Sequence, residues 1–109
     1  MTAEISLNGE TVRLTGNAAT AIRYKQVFGT DLLMDFKGMT AESFDANVIK
    51  KLAFIMEKQA HGGTFNAVTF DDFCAWLERF EESDILACAS DIIGAWMINT
   101  KTGVRAKKK

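Results

Sequence analysis

The side chains best suited to chemistry in this chain are two carboxylate pairs, Asp71-Asp72 and Glu81-Glu82, one histidine, His61, and two cysteines, Cys74 and Cys88. A carboxylate pair holds a cation or shares acid–base work only when both groups face one point, and adjacent residues of a helix point different ways. Both pairs therefore read as helix caps and solvated faces. His61 has no companion at metal-ligand spacing, so it reads as a surface histidine near a helix C-terminus. The cysteines fall inside helical patterns and form no CxxC. With no signal peptide in MTAEISLNGE, a reducing cytosolic setting is expected, with each thiol serving as a small buried hydrophobe. Leu14-Thr15-Gly16-Asn17 lacks the Gly-Lys-Ser/Thr that completes a nucleotide loop. The sequence thus points to no catalytic, cofactor-binding or metal-binding residue, and the chain reads as a protein that is not an enzyme.

Composition frames what must position any other function. The 109 residues, 48% hydrophobic and 25% charged, suit one soluble domain with a real core. A net charge of -1 predicts no strong attraction to nucleic acid or to a membrane surface. The sum hides an asymmetry. Residues 66–100 carry Asp71, Asp72, Glu78, Glu81, Glu82, Asp84 and Asp91 against Arg79 alone, and residues 101–109 carry Lys101, Arg105, Lys107, Lys108 and Lys109 with no acid. We expect one globular domain over residues 1–100 and a basic, flexible tail over 101–109. No apolar run approaches the ~20 residues of a membrane span.

The strand signal is clearest from Ala3 to Leu14. Asn8-Gly9 suits a type I′ turn, where both residues need positive φ. A two-residue loop there sets Leu7 opposite Glu10, Ile5 opposite Val12 and Ala3 opposite Leu14, on one face that is apolar except at Glu10. A lone hairpin is marginal in water and must pack on helices or extend a neighbour's sheet.

Four main helices follow. The first runs from about Asn17 to Phe28, capped by Thr15 or Asn17 and closed by Gly29, with Ala18, Ala21, Ile22 and Phe28 inside and Tyr24 at the edge. Asp31 then caps a short helical turn through Leu32, Leu33 and Phe36, ended by Gly38. The second, about Asp45 to Ala60, is strongly amphipathic, with Phe54 pointing from the middle of its polar side. Thr69-Phe70-Asp71-Asp72 opens the third in capping-box style, with Phe70, Phe73, Cys74, Leu77 and Phe80 inside and Trp76 at the margin. The last stretch, Asp84 to Asn99, is apolar almost all the way round, which marks a central helix with a face left over for a partner. Its Ile85-Ala89-Ile92-Trp96 stripe is expected inside and its Leu86-Ile93-Met97 stripe nearer the partner. The fold class is therefore α+β and predominantly α-helical: an N-terminal β-hairpin packed on about four main helices plus a short helical turn.

The order of these pieces resembles the tail assembly chaperones of long-tailed bacteriophages and related prophages, particularly those of Gram-positive hosts. The resemblance rests on Leu14-Thr15-Gly16, Tyr24 and Phe28-Gly29-Thr30-Asp31 in the first half. In the second half it rests on Thr69-Phe70-Asp71-Asp72-Phe73, Trp76-Leu77 and Asp84-Ile85, and it covers most of residues 3–100. It implies a small, mostly helical, non-enzymatic protein of the host cytoplasm that coats the tape measure protein, helps recruit tail tube subunits, self-associates and is absent from the mature virion. It also implies a longer form made by ribosomal frameshifting, through which the major tail tube protein would be met, and Lys107-Lys108-Lys109 is compatible with an A-rich slippery site. Such a chaperone needs surplus apolar surface for a helical client, and the candidate partner-binding residues are Phe54, Trp76, Leu86, Ile93, Trp96 and Met97. The alternatives are a small helical DNA-binding regulator or a generic protein-interaction adaptor. The first lacks a recognition helix, since the final helix offers no basic side chain and the one before it only Arg79.

Overall fold

The computed structural model describes residues 2–39 and 43–96. A two-stranded antiparallel hairpin, β1 (Thr2–Leu7) and β2 (Glu10–Thr15), is followed by six helices, so the fold is α+β and mostly helical. The hairpin takes the register its turn demands. Asn8 and Gly9 sit at φ 53° and 80°, and Leu7 faces Glu10, Ile5 faces Val12 and Ala3 faces Leu14. Ile5, Leu7, Val12 and Leu14 are buried, while Glu10 stays outside and pairs with Arg79.

Helix α1 (Thr20–Phe28) starts three residues later than the sequence pattern predicts. Asn17 Oδ1 accepts the Ala19 N–H and the Asn17 N–H donates to Thr20 Oγ1, so residues 17–19 form a capped turn ahead of the regular helix. Gly29 closes α1 at φ 80°, a left-handed position that costs glycine nothing. Asp31 caps the single turn α2 (Leu32–Asp35) by accepting the Leu33 N–H.

The centre of the molecule is α3 (Ala46–His61), not the last stretch of the chain. It packs against β2, α1, α4 (Phe70–Leu77) and α5 (Glu82–Ala87). Val48, Ile49, Leu52, Ala53, Phe54, Ile55, Met56 and Gln59 are all buried. A helix roofed on most sides buries more than one amphipathic arc, which is why Phe54 is 2% exposed despite its position among polar neighbours. Its ring lies 5.4 Å from that of Phe73 and 5.6 Å from that of Trp76. These tilted contacts lock α4 onto α3. The Thr69–Asp72 capping box starts α4 as its spacing predicts.

The predicted helix over 84–99 is two helices as far as residue 96, and its last three positions lie outside the described residues. Helix α5 begins at Glu82, where the Asp84 side chain accepts the Glu81 N–H at 3.3 Å, and it stops at Cys88. A second segment, α6, occupies residues 89–96. At the break the Cys88 backbone sits at φ -100°, ψ 9°, its N–H bonds to the Ile85 carbonyl, and its thiol donates to the Ser6 carbonyl of β1. The bend keeps Ile85, Ala89, Ile92 and Trp96 buried together, as the helical spacing predicts. Gly16 lies under this segment: a Cβ there would stand 2.9 Å from the Ala95 carbonyl oxygen and 3.2 Å from the Trp96 Cα. Gln59, buried on α3, joins the layers by donating to the Thr15 carbonyl at 2.6 Å and to Thr20 Oγ1 at 2.9 Å.

Candidate interaction surface

Helix α1 presents its inner face through Thr20, Tyr24, Val27 and Phe28, which recur at helical spacing. Thr20 and Tyr24 are buried; Val27 and Phe28 pack against the core. The opposite face then carries Ile22, Lys25 and Gln26, and Ile22 is 70% exposed. This corrects the sequence-based expectation, which placed Ile22 inside and Tyr24 at the edge. The short helix α2 repeats the pattern. Leu32 is fully buried, so its neighbours Leu33 and Met34 face solvent at 61% and 65%.

Ile22 and Leu33 meet across an open groove of about 450 Å³ lined also by Ala21, Lys25, Gln26 and Asp31. The groove is held open from behind. Tyr24 on α1 donates its hydroxyl proton to Asp35 of α2 at 2.9 Å, and the Thr30 hydroxyl donates to the same carboxylate at 2.6 Å. The Thr30 bond is the main force holding the Asp35 carboxyl below its ordinary range, with the Tyr24 bond and the Lys51 charge adding to it. Burial is the main force pushing the Tyr24 phenol above its ordinary range, and the neighbouring Asp35 carboxylate adds to it. The two helices are thus clamped at a fixed spacing while their outer apolar residues stay free.

A second groove, about 360 Å³, runs between α3 and α4. Phe70 stands at its mouth, 59% exposed, above Phe73, Cys74 and Leu77, with Lys50 and Lys51 on the far wall. Phe70 was expected inside; as the first residue of α4 it stands at the rim of this groove, its ring 5.6 Å from that of Phe73. Lys50 is tied to Glu82 in an ion pair, and the Lys51 ammonium stands 5.5 Å from the centre of the Phe28 ring.

The six residues singled out as partner-binding do not assemble into an open surface. Phe54, Trp76 and Trp96 are buried within the chain, Trp76 against Phe54 and Phe80, and Trp96 with its ring 5.0 Å from that of Phe36. Phe54 and Trp76 fill the seam between α3 and α4, and Trp96 packs α6 against Phe36 at the end of α2, so none of the three presents a free face. Leu86 is half-buried, Ile93 packs against the core, and Met97 lies outside the described residues, as does the basic segment 101–109. Sequence reasoning missed Ile22, Leu33, Met34 and Phe70. The available signal was the Thr20-Tyr24 spacing, which turns Ile22 outward once the polar Thr20 is taken as an inner residue.

Chemistry-bearing groups are dispersed. Among the described residues no group of three or more His, Cys, Asp or Glu side chains could hold a metal ion. His61 pairs with Glu57 one turn earlier on α3. Cys74 and Cys88 are free thiols, and burial, with Asp91 and Asp84 nearby, pushes the Cys88 thiol up. No helix of the described residues is long and apolar enough to cross a membrane. Comparison with protein-family models, curated proteins and solved structures finds no match to this chain.

Proposed function

We propose that this protein is a non-enzymatic tail assembly chaperone of a long-tailed phage or prophage, and that it binds its client through the α1–α2 groove. One observation carries the reading. Of the four exposed large hydrophobic side chains among the described residues, Ile22, Leu33 and Met34 lie together on one clamped pair of helices. Apolar side chains that a small domain leaves clustered in water mark a surface reserved for another chain. The client is the tape measure protein, whose long helices offer apolar stripes to cover. In this reading the protein works in the cytoplasm of the bacterial host, self-associates, and leaves before the virion is complete. A longer frameshifted form brings in the major tail tube protein. The sequence resemblance points to the identity of the client, and the open apolar groove supports the reading that a client helix is bound.

Co-expression tests the proposal. The tape measure protein encoded beside this gene should shift from the insoluble to the soluble fraction when this chain is made with it, and should co-purify with it. A client that stays insoluble, or a gene neighbourhood without a tail tube gene before and a very long reading frame after, would contradict the reading.

A further inference from the structure

A second surface lies along the outer edge of β1, lined by residues other than those of the α1–α2 groove. In an antiparallel ladder, facing residues alternate between pairs that exchange both backbone hydrogen bonds and pairs that exchange none. Leu7 and Glu10 flank the two-residue turn and exchange both, so the pairs Ile5–Val12 and Ala3–Leu14 do the same. The backbone N–H and C=O groups of Thr2, Glu4 and Ser6 then point away from β2. The Ser6 carbonyl fits this phase, since it accepts the Cys88 thiol at 3.3 Å. Thr2 and Glu4 have no backbone partner outside the hairpin among the described residues. Beside them runs a groove of about 460 Å³ between β1 and α6, floored by Ala3, Ile5, Gly94 and Ala95 and edged by Glu4 and Asp91. No basic side chain lines it, and neither acid makes an ion pair among the described residues.

We infer that the Thr2–Glu4 edge of β1 is a strand-docking site for an extended segment of a partner protein in which apolar and basic residues alternate. A row of unpaired N–H and C=O groups at strand spacing is complementary to another strand. Alternation follows from the pleat, which sends successive side chains to opposite faces. A third strand beside β1 would extend the inner row Leu14–Ala3 with an apolar side chain that covers the groove. It would extend the outer row Arg13–Glu4 with a residue directly beside Glu4. A Lys or Arg there completes a row of alternating sign, the arrangement that stabilises cross-strand neighbours. A second copy of β1 pairing about Ala3 would set Thr2 beside each Glu4, so it brings no basic neighbour to that carboxylate. This site is independent of the α1–α2 groove and of the identity of the client bound there.

The test uses the whole chain labelled with nitrogen-15 and two synthetic peptides, acetyl-Lys-Val-Lys-Val-Lys-Val-amide and its counterpart with Glu in place of Lys. Only the Lys peptide should shift the Thr2 and Glu4 amide resonances and slow hydrogen exchange at Glu4. Glu4→Pro removes both the outward N–H and the carboxylate that the basic residue would face, a change that a strand edge tolerates, and it should weaken peptide binding about tenfold or more while the hairpin resonances persist. Asp91→Lys, at an exposed position on α6, serves as a second variant and should also weaken binding. Equal binding of both peptides, no response at about 1 mM of the Lys peptide, or peptide binding unchanged in both variants would overturn the inference. So would protection at Glu4 that rises with protein concentration alone, since that would make the occupant a second copy.

Discussion

Helix α3 and the α1–α2 pair are apolar to a similar eye, yet the chain treats them in opposite ways. Along α3 almost every apolar side chain is covered, including Phe54 on the side where polar residues dominate the sequence. On α1 and α2 the buried positions are held in part by Thr20 and Tyr24, while Ile22, Leu33 and Met34 are left in water. The difference is one of surroundings. Helix α3 is enclosed by β2, α1, α4 and α5, whereas α1 and α2 lie at the periphery with one side packed and one side open. A polar group can serve inside when its partners are fixed, as Thr20 Oγ1, the Gln59 amide nitrogen and the Tyr24 hydroxyl do. An apolar group left outside has no such local explanation, and that is what makes it informative.

The contrast can be broken at several points. The largest effect is expected from Phe54→Ala, which empties the aromatic seam between α3 and α4 and should cost about 3–5 kcal/mol in thermal or denaturant unfolding. A loss below about 1 kcal/mol would mean that the seam is not closed. Gly16→Ala drives a Cβ to 2.9 Å from the Ala95 carbonyl oxygen and should cost about 1–3 kcal/mol through overpacking. Wild-type stability in this variant would show that α6 does not press on the β2–α1 connection.

The clamp behind the groove predicts two pH limits. Tyr24 has a phenol raised from its ordinary value of 10.0, so the unfolded chain ionises first as pH rises above 10. Stability should therefore be intact below pH 10 and fall as the solution becomes more alkaline. Asp35 has its carboxyl lowered from 3.8, so its contribution is present above that value and is lost as pH drops through and below it. Tyr24→Phe should flatten the alkaline limb of a stability–pH curve and Asp35→Asn the acid contribution of this site. An unchanged curve in Tyr24→Phe would remove the clamp from the account. The smallest effect on stability belongs to Ile22→Asp with Leu33→Asp, expected within about 0.5 kcal/mol of wild type for each exposed site.

Local rules made much of the fold legible in the sequence. The Asn8-Gly9 turn fixed the hairpin register, Gly29 and Asp31 marked one helix end and the next helix start, and Thr69 with Asp72 marked the start of α4. Each of these depends on a few neighbouring residues. The break at Cys88 was not legible: no proline or glycine marks it, and the carbonyl that the Cys88 thiol meets, on Ser6, is 82 positions earlier in the chain. The burial of Phe54 was hidden for the same reason, since the helix that roofs it begins sixteen residues later. The candidate site suffered most. Large apolar residues were chosen for size, and size is what a core recruits, so Trp76 and Trp96 went inside while the smaller Ile22 and Leu33 stayed out.

The central claim is that the groove between α1 and α2 holds the client, and the double variant Ile22→Asp, Leu33→Asp tests it most directly. Co-expressed with the tape measure protein, it should fold with a wild-type melting temperature yet leave the client insoluble and absent from the purified fraction. A double variant that still keeps the client in solution would contradict the account.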